Sequence, residues 1–156
     1  MEEDKMLHDL MEMGSQKDEL QVITNTNSYT QQFGLKLTDA DARELLSRRR
    51  ECLMQQQRVE FGGGVLDKLI FAFCDSDFID QDNYAETIAR LQDIFYLYKN
   101  ESMDELTDDE LIERMREAFD GECQGSLVYL EETYLDRFAR EIRRGTRKFV
   151  GRYQDE

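Results

Sequence analysis

The sequence predicts an all-α fold: a compact single-domain bundle of five to six helices around a short central apolar helix. Three observations carry this. Apolar residues recur in steps of three and four rather than two. Hydroxyl residues stand at several segment starts, with an acid three positions on in two of them. Proline is absent and glycines fall at segment ends, as expected of helices joined by short glycine-closed turns.

Taken in order, residues 1–14 read as a frayed start, with Met6, Leu7, Leu10 and Met11 able to form an amphipathic turn. The helical domain spans 15–145, and 146–156 forms a basic, partly ordered tail. From Ser15, a plausible cap, to Phe33 the spacing Leu20, Ile23, Asn27, Thr30 is helical but diluted by Asn and Thr, and Gly34 stops it. Thr38 opens the next helix with Asp41 at the third position, and Ala42, Leu45, Leu46, Cys52 and Leu53 give it one apolar face, ending near Gln57. A bridge between the stretches near Leu35 and Val59 is the one hint of strand.

Glycines 62–64 then lead into the apolar segment Val65–Cys74, the expected centre of the bundle. The helix from about Asp80 to Lys99 is the most regular, with Tyr84, Ile88, Leu91, Phe95 and Tyr98 inward and Asp77 or Asp80 as its cap. Thr107 and Glu110 form a full capping box for a helix through Phe119, ended by Gly121. Ser126 or Gly125 starts the last helix, with Leu127, Leu130, Tyr134, Phe138 and Ile142 inward and Gly145 as its stop.

A chain of 156 residues is long enough for one real core. Its net charge is −15, from 20 basic and 35 acidic residues, which argues against nucleic acid or an anionic membrane as partner. No apolar run approaches the ~20 residues that span a bilayer. The start, MEEDKMLHDL, has neither a basic nor an apolar leader region. With three cysteines widely spaced, the expectation is a cytoplasmic protein with reduced thiols.

Each candidate site competes with a plain structural reading. Gly62, Gly63 and Gly64 are a candidate ligand turn, because glycine N–H groups at a helix start can cradle phosphate. Register argues against it: Val65, Leu66, Asp67 follow where a phosphate loop needs Lys and Ser or Thr, and Asp67 puts a carboxylate at the positive helix end. Asp75, Asp77, Asp80 and Asp82 suggest half a calcium loop, but Ile79 and Asp80 break its pattern, so no metal is expected. Cys123, within GECQG, is a candidate reactive thiol. The only histidine, His8, stands over a hundred residues upstream and offers no partner. Arg137, Arg140, Arg144 and Arg147 recur at helical spacing near the basic end, a candidate grip for an acidic partner or simply a face that neutralises neighbouring acids.

Three stretches taken together, RVEFGGGVLDKLIFAFCDSDFI (58–79), KNESMDELTDDELIERM (99–115) and FDGECQGSLVYLEE (119–132), resemble a bacterial family, mostly from Firmicutes, known as domain of unknown function DUF6323. The resemblance covers most of the chain, Thr38 to Ile142. It implies a cytosolic bacterial protein and brings no activity, cofactor or catalytic residue with it. The residues favour a non-enzymatic protein-interaction module with no cofactor. The alternatives are an enzyme with a site near the glycines or Cys123, and a phosphate- or nucleic-acid-binding module using the basic end. The expected partner is a protein, and a homo-oligomer stays open.

Overall fold

The computed structural model describes residues 18–60, 64–102 and 105–144. The expectations for 1–14, Ser15, Gly145 and 146–156 lie outside them. Among the described residues every regular element is helical, with no strand or bridge. The order is α1 (18–25), α2 (Asn27–Thr30, tightening to a 3₁₀ turn over Gln31–Phe33), α3 (Asp39–Gln55), α4 (Leu66–Phe73), α5 (Tyr84–Glu101), α6 (Asp108–Asp120) and α7. The last opens at Leu127–Tyr129, widens into a π turn over Leu130–Tyr134 and continues over 135–144.

Gly34 ends the first helical run in the left-handed region, at φ 76°. The chain then turns back through Leu35 and Leu37, both buried. No strand pairs with this return, because two side-chain amides bond its backbone. Asn27 donates Nδ2–H to the Leu37 carbonyl and accepts from the Leu37 N–H, both at 2.8 Å. Gln81 does the same at Lys36, accepting at 2.7 Å and donating at 2.9 Å. The expected bridge to Val59 is therefore unnecessary: carboxamides, each donor and acceptor, satisfy the extended segment.

The capping boxes form as read. Thr38 accepts from the Asp41 N–H at 3.0 Å while Asp41 accepts from the Thr38 N–H at 3.1 Å. Thr107 and Glu110 make the corresponding pair at α6, and Ser126 accepts from the Tyr129 N–H at 3.2 Å at α7. The cap of α5 differs from expectation. That helix begins at Tyr84 behind Asn83, which is already helical and gives no side-chain cap. Asp80 and Asn83 instead exchange side-chain-to-backbone bonds at 2.9 and 3.0 Å, closing a separate turn one step earlier. Likewise α4 starts behind Val65, so Asp67 stands at its second position rather than its third.

The centre of the bundle is α5, not α4. An eight-residue helix is only ~12 Å long, whereas the eighteen residues of α5 run ~27 Å and reach every other major helix. The α5 helix packs on α3, α4, α6 and α7. It buries Tyr84, Ile88, Leu91, Ile94, Phe95, Tyr96 and Tyr98, more than one face, as its widened apolar stripe implied. The α4 helix packs chiefly on α5 and α6 through Leu66, Leu69, Ile70 and Phe73 and leaves Phe71 outside. Arg116 of α6 clamps this contact, bonding Asp75, Asp120 and the Ala72 carbonyl. The π turn of α7 is tied to α5 from two sides: Tyr98 donates its hydroxyl to the Glu131 carbonyl, and Arg90 pairs with the Glu131 carboxylate at 3.3 Å.

Candidate functional site

The glycine turn closes onto ions. Gly64 lies in the left-handed region at φ 61°, and a Cβ there would stand 2.5 Å from Glu60 Oε2 and 2.6 Å from Arg49 Nε. Gly62 and Gly63 lie outside the described residues. Beneath Gly64, Arg49 is 3% exposed and pairs with Glu60 at 3.6 Å and Glu19 at 3.7 Å. Tyr96, fully buried on α5, donates its hydroxyl to Glu60 at 2.7 Å, and burial followed by that carboxylate raises its pKa. The guanidinium thus faces two carboxylates, and Arg50 also pairs with Glu19 at 3.8 Å, so an incoming phosphate would have to compete with Glu19 and Glu60 for these cations. The geometry makes this turn a close packing of backbone on a buried ion cluster.

Cys123 is buried, and its thiol is pushed up by burial and then by Glu122. Its flanking Gly125 (φ 82°) would place a Cβ 2.7 Å from Phe78, so the GECQG block is a tight turn packed on an aromatic ring. Neither feature favours a thiolate. Cys123 and the Gly64 cluster each have their own surroundings, and no contact brings them together.

A second thiol has the more polar setting. Cys52 donates Sγ–H to Asp93 Oδ1 at 3.2 Å, and Arg48 grips the other oxygen of that carboxylate. They line a cleft of about 330 Å³ between α3 and α5, with Gln55 and Leu97. Burial, then the Asp93 hydrogen bond, push the Cys52 thiol up to about 12, so it is held as a proton donor rather than a nucleophile. Sequence reasoning missed this trio because its members stand on two helices forty-one residues apart.

Three arginines of the basic end, Arg137, Arg140 and Arg143, are paired within the chain. Arg137 meets both oxygens of Glu122 at 3.1 Å, and Tyr129 donates to the same carboxylate at 2.6 Å. Tyr129 first and Arg137 second hold the Glu122 carboxyl below its usual range. Arg140 pairs with Asp136 at 2.9 Å and Arg143 with Glu101. Arg144 lines, with Arg137 and Arg140, an open groove of about 360 Å³ that also holds Glu132, Asp136 and Glu141. Arg147 lies outside the described residues. Of the four aspartates, Asp75 is taken by Arg116, which lowers its pKa, and Asp80 by the Asn83 turn.

The surface with no internal explanation is the outer face of α1 and α2. The inward positions, Ile23, Thr26 and Thr30, are buried, and two of the three are hydroxyl residues that must donate to local carbonyls: Thr26 to Ile23 at 2.6 Å and Thr30 to Leu35 at 2.9 Å. The outward positions carry the rings and the aliphatic chain. Val22 is 42% exposed, Tyr29 48%, Phe33 41%, and Phe71 of α4 joins them at 47%. Tyr29 meets Phe33 edge-on at 5.8 Å and Phe71 at 5.5 Å. The amphipathic order of a surface helix is thus weakened, with threonines at two core positions and a valine and rings among the exposed ones. From Leu20 to Leu35 the chain has no charged residue, although charged residues make up 35% of the whole. That gap is the sequence signal which could have found the face.

No helix among the described residues is long and apolar enough to cross a membrane. No curated protein and no solved structure matches the chain. A family model described as a family of unknown function matches residues 22–148, from the exposed Val22 through the last described helix, and the chain belongs to that family, DUF6323.

Proposed function

We propose that the chain is a non-enzymatic protein-interaction module that docks a protein on the outer face of α1 and α2. One observation carries this reading: apolar and aromatic side chains face solvent while hydroxyl residues of the same helices face the core. Apolar ring surface left in water costs free energy, and a partner that covers it recovers roughly 25 cal/mol per Å². Charge depletion with aromatic enrichment is also the composition that separates interface centres from ordinary surface. The Asn25, Ser28, Gln31 and Gln32 side chains around the rings supply a polar rim with unused bonding capacity.

The same proposal puts the module in the cytoplasm, supported by three free thiols. It sets aside the basic end, because Arg137, Arg140 and Arg143 already have carboxylate partners. It also sets aside thiol catalysis, because Cys52 and Cys123 are both held protonated.

The test is site-specific photo-cross-linking in cells. A photoreactive amino acid at position 33 and, separately, at position 71 should each give one discrete protein adduct, lost when Tyr29→Asp is added. The same probe at Glu113, on the exposed acidic face of α6, should give none. Equal labelling from all three positions, or no adduct from 33 and 71, would overturn the reading.

A further inference from the structure

We infer that the occupant of this face is a second copy of the same chain, joined about a two-fold axis near Tyr29; this rests on the interaction reading above. The argument begins with charge. Two copies at −15 each repel over most of their surfaces. A stretch without charge, such as Leu20–Leu35, lets them meet without setting like charges face to face. A basic partner, by contrast, would be drawn to the acidic surfaces and would gain nothing electrostatically here.

The chemistry of the rim adds a second, independent reason. In a two-fold interface each residue near the axis faces its own copy. Lys, Arg, Asp and Glu fail that test because like meets like. Carboxamides and hydroxyls pass it, since each is both donor and acceptor. The exposed polar residues here are all of that kind: Gln21, Asn25, Ser28, Gln31 and Gln32. Their internal bonds leave valence to spare. Gln31 and Gln32, for example, donate to the Ser28 and Tyr29 carbonyls and keep their own amide oxygens for a partner.

Tyr29 is the natural centre, because it is the ring that touches both Phe33 and Phe71. At about half exposure, three rings of ~150–250 Å² each offer roughly 200–350 Å² of apolar contact per copy. A standard interface takes ~800 Å² per partner, so the rings supply its centre and the amides its rim. The pair is therefore expected to be weak, dissociating in roughly the micromolar range.

The experiment is sedimentation equilibrium of the full chain across that range. The wild-type chain should shift from monomer to dimer mass with concentration. Tyr29→Asp and Tyr29→Lys should each weaken the dimer at least about tenfold, with helical circular dichroism unchanged. An equimolar mixture of the two variants should recover dimer, because opposite charges then face each other across the axis. Three results overturn the inference, and the cross-linking separates it from the reading beneath it. A chain monomeric throughout, with adducts from position 33 to a different protein, removes the second copy and keeps the module. A monomeric chain with no adduct removes both. A dimer indifferent to Tyr29→Asp, or a mixture that fails to recover, places any self-association elsewhere.

Discussion

Two regions of this molecule depart from the usual partition of polar and apolar groups, and they do so in opposite directions. Under the glycine turn, a guanidinium is buried at 3% exposure beside two carboxylates and a tyrosine hydroxyl. On α1, α2 and the adjoining α4, three rings and a valine are partly exposed to water. The first departure has its counter-charges within the chain: Glu19 comes from α1, Arg49 from α3, Glu60 from the turn and Tyr96 from α5, although Arg49 Nε and Nη2 make no hydrogen bond among the described residues. The second is not closed. Tyr29 meets Phe33 and Phe71 edge-on, and 41–48% of each of these residues stays exposed. A costly group whose partners are all internal serves the fold, and one whose partners are missing points outward. That difference is the ground for reading Gly64 and its neighbouring ions as architecture and for proposing the uncharged face as a docking surface.

The strongest way to break the comparison is to remove the buried cation. Arg49→Met keeps much of the side-chain volume but leaves Glu60 to the Tyr96 hydroxyl and Glu19 to the more exposed Arg50. Truncating one side of a buried ion pair costs ~3–5 kcal/mol, and about 3 is expected here because both carboxylates retain some access to water. Urea unfolding would measure it. Adding Glu60→Gln should recover part of the loss, since one orphaned charge is then gone. A loss below about 1 kcal/mol would mean the ions are solvated, and the contrast with the ring face would collapse.

Between these extremes lie the thiols, which test whether unpaired charge is excluded from this interior. Cys52, pushed up to about 12, has its proton held by burial and by Asp93. The sign follows: a raised folded pKa stabilises the fold fully below about pH 9, and that contribution is lost as pH climbs towards 12. At pH 8 a mild alkylating agent should therefore label both Cys52 and Cys123 at least about tenfold more slowly than a free thiol. Urea should abolish the difference. Fast labelling of Cys123 in the folded chain would reopen a nucleophilic role for the GECQG turn.

What was legible in the sequence follows the range of the interactions. Thr38 with Asp41, Thr107 with Glu110, and Ser126 with Tyr129 are contacts across three residues, so the local pattern contains the physics. Gly34 as a stop is local too. The spacing Leu20, Ile23, Asn27, Thr30 correctly marked the inward side of the first helices, with Ile23 and Thr30 fully buried. The consequence went unread: if Thr is inward, Tyr29 and Phe33 must be outward. Contacts such as Cys52 with Asp93, Glu60 with Tyr96 and Asn27 with Leu37 join distant elements, and no spacing rule encodes them. The shift of the centre from α4 to α5 has the same origin, since apolar density marks burial but helix length decides which helix can reach all the others.

The smallest expected effect concerns the link between Arg49's helix and Glu60. The α3 helix ends with two reverse bonds, from the Arg58 N–H to the Leu53 carbonyl at 2.8 Å and from the Gln57 N–H to the Met54 carbonyl at 3.2 Å. That arrangement needs a left-handed residue between them, and Gln57 takes it at φ 55°. A side chain there costs roughly 1–2 kcal/mol that glycine avoids, offset in part by glycine's greater freedom in the unfolded chain. Gln57→Gly should accordingly stabilise the fold by about 0.5–1 kcal/mol in urea unfolding. Combined with Arg49→Met its gain should simply add, because the turn's backbone geometry is set by α3 rather than by the ions. If the gain disappears in the double variant, Gln57 is held left-handed by the Arg49–Glu60 pair, and the ion cluster shapes the turn rather than merely filling it.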